Sequence, residues 1–374
     1  MLRKKIAGAV IASVAIAMVA TVAPQANAAL KAPTAANVGD QCVTAGRVAK
    51  GRGVNGSDLT CTNVTTGTSA GSRLWWYADM KPFGSIEWVS SSAIGGGYGT
   101  TAIAIGDAMK KEGLLKDYTV TYKTNAPLGL GYFYDQKGRN DIFAITGFAM
   151  PGGLATNGSK LTITTANAIA GVMREAEAFA VPTSSKYRTI NDLLDDIKAN
   201  PKTVAIGGGN YGGVDHVTIA TLAATVGVKA TDLNYIPYSG GGTLTPDVIG
   251  GRVAVGISGT SEFSSYVSAG KMRILAVTSP KPLKVIKGKT LVQQGVNLTF
   301  GNWRGILAPA DLSPADLLNT LKVIDTLHAS SSWKETLVAK SWIDEYRAGN
   351  DFSSWIKTEN TAIIKVLTDF KLIK

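Results

Sequence analysis

The sequence predicts an α/β chain of two lobes, and three observations carry that prediction. From about residue 86 onward, short apolar runs of strand length alternate with amphipathic segments of helical length. That order builds largely parallel sheets covered by helices on both faces. The chain has 374 residues, more than one simple domain accommodates. Glycine-rich loops follow several of the strands, as expected where α/β sheets present a ligand at the carboxyl ends of their strands.

Residues 1–28 read as an export signal. Arg3, Lys4 and Lys5 give a basic start, residues 6–23 are uncharged and apolar, and Ala26-Asn27-Ala28 has the small-x-small form of a cleavage site. The expected location is therefore outside the cytoplasmic membrane, periplasmic or cell-envelope. Residues 29–79 form a polar linker and a small module that holds Cys42 and Cys61, the two cysteines of the chain. In an oxidising compartment one pair at this spacing reads as a disulfide, since there is no CxxC and no nearby histidine. Closing such a loop stabilises a small module by roughly 3 kcal/mol. Gly67-Thr68-Ser69-Ala70-Gly71 matches GxSxG formally, but that motif needs a strand before it and a helix after it, and a Gly/Thr/Ser loop surrounds it.

The expected strands are residues 86–91, 118–123, 142–146, 178–181, 204–206, 233–237, 254–257, 274–278 and 305–308. Helices are expected over 100–112, 190–199 with Thr189 as N-cap, 214–226, and most of the chain from Pro314, with Ser313 as cap. The lobes are accordingly placed at 80–181 plus 305–374 and at 182–304.

Composition narrows the function. Net charge is +11, or +8 without the three basic signal residues, which favours anionic small molecules or envelope polymers. The basic residues are scattered and no nucleic-acid motif appears, so nucleic acid is not an expected partner. His216 and His328 are the two histidines, without HExxH spacing, so no metal or other cofactor is expected. An Asp215–His216 pair assisting Ser239 or Ser258 would make a hydrolase, but no nucleophile motif accompanies it. The chain reads as a binding protein, not an enzyme.

The glycine loops are Gly95-Gly96-Gly97-Tyr98-Gly99, Pro127-Leu128-Gly129-Leu130-Gly131, the run from Gly207 to Gly213, and Ser239-Gly240-Gly241-Gly242. Three of them run into an expected helix. Glycine lets backbone approach a ligand, and amides at a helix N-terminus favour negative charge. None fits GxxxxGK[ST], and the loop at Gly207 lacks a clear GxGxxG with a ribose-binding acid.

Read together, these loops, Asp215-His216, Tyr238-Ser239, the segment Gly270-Lys271-Met272-Arg273-Ile274-Leu275-Ala276-Val277 and Asn302-Trp303-Arg304-Gly305-Ile306-Leu307-Ala308-Pro309 resemble the extracytoplasmic receptors of tripartite tricarboxylate transporters, the Bug-type receptors. The resemblance covers the chain from about Ile86 to its end. It implies a type II periplasmic-binding-protein fold with a ligand cleft between two lobes, a small di- or tricarboxylate as ligand, and the membrane subunits of a transporter as partner. The ligand-binding residues it implies are Gly96, Gly97, Tyr98, Thr100, Thr101, Thr146 and Gly147 in the first lobe. In the second they are Asn210, Tyr211, Gly212, Gly213, Asp215, His216, Ser239, Gly240 and Gly241. Asn302-Trp303-Arg304 is expected to be structural, near the return crossing. Gly99 stands where the family usually has Asp, and Ile103 where it has Arg, which implies a less acidic cleft. The cysteine module is outside the ordinary family pattern and is expected to serve an accessory role such as envelope contact. A carboxylate-binding sensor or envelope-attached module without transport is the alternative function.

Overall fold

Apolar side chains alternating along extended segments fix the two central sheets of the computed structural model, which describes residues 36–284 and 286–373. The signal-peptide reading lies outside the described residues. The first sheet contains β4 (Phe83–Ser90), β5 (Leu115–Tyr122), β6 (Ile142–Gly147), β7 (Asn167–Glu175), β13 (Asn302–Ala308) and β14 (Arg347–Ala348), in the order β14-β7-β13-β6-β4-β5. The second contains β8 (Glu177–Pro182), β9 (Ala205–Gly208), β10 (Asn234–Pro237), β11 (Val255–Gly259) and β12 (Met272–Val277), in the order β10-β9-β11-β8-β12. Each sheet underlies one α/β lobe.

The sheets are mixed, not largely parallel. β4 runs parallel to β5 and β6, and β9 runs parallel to β10 and β11. The strands next to the crossings pair antiparallel: β13 with β6 and β7, β14 with β7, and β8 with β11 and β12. The crossings also shift the lobe boundaries. Only Ala176 separates β7 in the first sheet from β8 in the second, so the lobe change falls there and not after Val181. β13 is already back in the first sheet at Asn302. The sequence suggests a strand only over 178–181, and strand periodicity says nothing about which sheet a strand joins. The two crossings are tied together: Glu177 donates its N–H to Thr278 Oγ1 at 2.8 Å, and the Thr278 hydroxyl donates to the Phe300 carbonyl at 2.7 Å.

Both faces of the second sheet are covered, as the alternation of β8 requires. Phe179 and Val181 face a core with Leu193, Leu194 and Ile197 of α4 (Ile190–Ala199) and Ile219 and Leu222 of α5 (Val214–Ala224). Ala178 and Ala180 face Leu244 and Val248 of α6 (Gly241–Ile249) and Phe263 of α7 (Thr260–Ser268). The α4 helix starts at a reciprocal capping box between Thr189 and Asp192. In the first lobe α1 (Gly97–Lys111), α2 (Ala126–Tyr134) and α3 (Ala149–Thr156) follow β4, β5 and β6 in turn. The chain ends in α8 (Pro314–Ala329, capped by Ser313), α9 (Ser331–Lys340) and α10 (Gly349–Asp369).

The module is a three-stranded antiparallel sheet of β1 (Val48–Ala49), β2 (Leu59–Asn63) and β3 (Arg73–Trp76), closed by the Cys42–Cys61 disulfide. Gly67–Ser69 forms a single 3-10 turn between β2 and β3, not a strand-to-helix elbow. The module docks on the first lobe. Tyr77 donates its hydroxyl to Asp325 at 2.6 Å, and Thr68 presents its N–H and hydroxyl to Glu112 at 3.0 and 2.6 Å. Among the described residues no helix is long and apolar enough to cross a membrane.

Candidate ligand cleft

The cleft is built where glycine loops of opposite lobes meet backbone to backbone. A Cβ on Gly240 would lie 2.9 Å from the Gly96 Cα, one on Gly242 would lie 2.7 Å from the Ile94 carbonyl, and one on Gly152 would lie 2.0 Å from the Gly212 carbonyl. Ala93 donates its N–H to the Ser239 carbonyl at 3.3 Å, and Thr156 its hydroxyl to the Tyr211 carbonyl at 3.0 Å. The lobes are closed on each other, and the missing side chains are what let them close. Between them lies a cavity of about 50 Å³, with Gly97, Tyr98, Asn210, Gly213, Asp215, Ser239 and Gly240 of the sequence-derived set in its wall.

Other expected residues lie elsewhere. Thr101 is buried with its hydroxyl on the Gly97 carbonyl, an intrahelical bond. Thr146 is buried in β6, and Gly147 packs against Arg304 and the Trp303 carbonyl. Gly96 serves the lobe contact and N-caps α1, and Thr100 lies outside the cavity wall. His216 is wholly buried, its ring stacked on Tyr235 at 4.1 Å and against Tyr211 at 4.2 Å. Its Nδ1 accepts the Gly212 N–H at 3.1 Å, and burial pushes its pKa down to about 4, so the ring is neutral at physiological pH. It props the Gly207–Gly213 loop from behind.

Several loop and helix-start amides, Gly241 of the expected set among them, are already occupied by the protein's own carboxylates. Gly241, at the start of α6, donates to Glu262 at 2.6 Å. Gly209 donates to Asp215 at 2.5 Å, and Ser261, in the first turn of α7, donates to Glu175 at 2.6 Å. The favourable placement of negative charge at helix N-termini is thus satisfied internally in the second lobe. The start of α1 differs, for it has no side-chain cap.

Facing that start is Arg304, expected to be structural but found in the cavity wall with Asn302. It is 4% exposed, sits over the Tyr98 ring at 4.8 Å, and its Nε and Nη1 are buried without a hydrogen-bond partner. A Cβ on Gly97 would lie 2.2 Å from Arg304 Nη2 and 3.0 Å from Glu262 Oε1, so both groups converge on the first residue of α1. The β13 pairing explains the placement: Arg304 pairs with Gly147 at the carboxyl end of β6, which aims its side chain at the cleft.

Besides Asp215, expected there, the cleft gathers acidic residues that local pattern did not mark. Asp215 and Glu262 line the cavity, and Glu175 and Glu177, flanking Ala176 at the crossing, are buried behind them. Burial first, then the neighbouring Glu175 and Asp215, push Glu262 up to about 8. Burial and the Asp215 carboxyl raise Glu177 well above the usual range, and burial also raises Asp215. Burial thus favours the protonated form of both carboxyls. Glu262 lies in a segment for which the sequence suggests no element, and Arg304 lies just before the expected strand 305–308. A charged residue inside an apolar strand was the signal that could have marked Arg304.

Two α/β lobes of this topology around a polar cleft form a two-lobed binding-protein fold. Residues 157–361 match the model of the tripartite tricarboxylate transporter family receptor, and the chain belongs to that family. Protein BugT of Bordetella pertussis is 25% identical over 131 residues, 34% of this chain and 39% of BugT. The UPF0065 protein in the clcB-clcD intergenic region of Pseudomonas knackmussii is 31% identical over 114 residues, 30% of this chain and 63% of that protein. The matched region spans under two thirds of these curated relatives. The structure of the periplasmic binding protein BugD superposes with a TM-score of 0.70 at 18% identity, covering 79% of this chain and 100% of BugD. MatC from Rhodopseudomonas palustris with bound malate superposes at 0.66 and 14% identity, over 76% of this chain and 99% of MatC. An R. palustris protein with adipate superposes at 0.66 and 19%, over 77% and 97%.

Proposed function

We propose that this chain is an exported receptor that closes its lobes on a small carboxylate and delivers it to the membrane subunits of a tripartite transporter. The observation that carries the ligand class is Arg304: a buried guanidinium with unpartnered N–H groups, set against the uncapped start of α1. Buried donors of this kind are costly to leave unmade, and a carboxylate accepts from a guanidinium fork and from helix amides together. Malate and adipate, named for two neighbours of the same fold, support the size class. A single guanidinium among four carboxyl groups narrows the expected di- or tricarboxylate to a ligand that presents one carboxylate to Arg304. No turnover is expected, since His216 props the Gly207–Gly213 loop through Gly212 and two tyrosines and is not in the cavity wall that holds Ser239 and Ser258.

Thermal unfolding of the purified protein against a carboxylate panel, with sugars and phosphate as controls, tests the reading. Ligand at 100 times its Kd stabilises by about 2.7 kcal/mol, which raises the Tm by a few degrees for a chain of this size. Arg304→Gln should weaken that binding at least 10-fold. A shift with a sugar or phosphate and none with any carboxylate would sink the proposal.

A further inference from the structure

The first turn of α7 separates two cavities. Glu262 lines the cleft, whereas Thr260, Ser261 and Ser264 line a second cavity of about 110 Å³. Helical spacing explains the split: Thr260 and Ser264 share a face of α7, and Glu262, two residues from each, lies on the other side. The remaining wall includes Lys340 and Ser341 at the end of α9, so both lobes contribute to this cavity. Ile286 also lines it, from a stretch that carries Lys281, Lys284, Lys287 and Lys289 and no acid. The cavity follows the crossing between the lobes. Thr260 donates its N–H to the Ala176 carbonyl at 3.0 Å, and Ile343, two residues past Ser341, bridges Arg174.

Thr260 is 1% exposed, and its hydroxyl and that of Ser261 are buried without a hydrogen-bond partner. Ser264 gives its own proton to the Ser261 carbonyl at 3.0 Å. Two buried hydroxyls without partners are costly unless something in the cavity accepts their protons. The charged side chain in the wall is Lys340, its ammonium 5.4 Å from the Trp342 ring centre. The carbonyl end of α9 is capped by the Ser341 and Trp342 amides on Leu337, which leaves the lysine to set the charge there. Glu175, bonded to the Ser261 N–H, does not line the cavity. Hydroxyl donors and a cation at a helix start call for a partner that only accepts. We propose that this cavity is a second binding site, for a small oxyanion of the sulfate class, held by the Thr260 and Ser261 hydroxyls and by Lys340. Its donors come from both lobes, so the anion ties the lobes together beside the crossing.

Isothermal titration of the full chain with sodium sulfate in Tris chloride buffer tests this, with glycerol as the neutral probe. Sulfate should bind, and Lys340→Gln should weaken it about 10-fold through the loss of one charge-assisted contact. Thr260→Val, which keeps the shape of the side chain, should weaken it about 5-fold. Lys340 lies at a helix end, so its variant decides the matter if Thr260→Val fails to fold. Arg304→Gln should leave sulfate affinity at the parent's value while weakening carboxylate binding in the cleft, so the two readings fail separately. No binding of sulfate would overturn the inference, as would glycerol binding as tightly as sulfate. Sulfate binding lost in Arg304→Gln and kept in Lys340→Gln would place the anion in the cleft and overturn it equally.

Discussion

Glu262 is the residue whose environment departs furthest from what its position in the sequence announces. Its helix, α7, looks like any amphipathic segment, yet the fold presses its carboxyl between the Gly241 amide and the α1 start and raises it to about 8. In the unfolded chain the same carboxyl titrates near 4.5. A raised folded value means that the native state binds the extra proton, so its contribution to stability is complete below pH 4.5 and is lost as pH rises through 8. The ligand-free protein should therefore lose thermal stability as pH rises from about 4.5 to 8, and Glu262→Gln should flatten that decline, with a higher Tm than the parent at pH 8 and above. Differential scanning calorimetry across that range checks it. An unchanged slope in the variant would mean that Glu262 ionises like an ordinary surface acid.

Between elements, the decisive contacts are those of loop on loop. Gly152 sits in α3, where a Cβ would lie 2.0 Å from the Gly212 carbonyl of the opposite lobe. Alanine suits a helix better than glycine by about 1 kcal/mol, so Gly152→Ala should not harm the first lobe on its own. It should block the last step of closure. The expected outcome is an unchanged or higher Tm without ligand and at least a 10-fold loss of affinity, since closure is what brings the walls of the cleft together. Small-angle scattering with and without ligand should show the variant remaining open. Compaction equal to the parent's would show that the contact can give way.

At the scale of the whole molecule, the disulfide module and the cleft occupy opposite ends of α1. Gly97 begins the helix in the cleft, and Glu112 ends it beneath Thr68 of the module. A 15-residue helix spans roughly 22 Å. Removing the disulfide with Cys42→Ser and Cys61→Ser should release about 3 kcal/mol of loop-entropy stabilisation and expose residues 40–79 to protease. Ligand affinity should change by less than 2-fold. A large affinity change would instead mean that the module sets the position of α1 at the cleft. Its docking through Tyr77 and Asp325, with Tyr346 bonded to the same carboxylate at 2.9 Å, leaves it a fixed part of the first lobe.

The sequence by itself determined the α/β class and many of the elements. The Thr189 cap and the i, i+3, i+4, i+7 spacing of Ile190, Leu193, Leu194 and Ile197 place α4 over Ile190–Ala199 as found, because cap chemistry and helical period are local. The glycine loops likewise marked where the lobes would meet, and the two early cysteines were placed in one bond. What only the tertiary structure decided was which groups those loops would face. Whether a helix-start amide meets a ligand or a carboxylate from 20 or more residues away, as Gly241 meets Glu262 and Ser261 meets Glu175, depends on contacts that no local pattern encodes. The same holds for the crossing at Ala176, since strand period is identical in either sheet, and for Arg304, whose strand spacing is that of any buried strand. Local periodicity specifies elements; the charge balance of the cleft arises only when residues distant in the chain are packed out of water together.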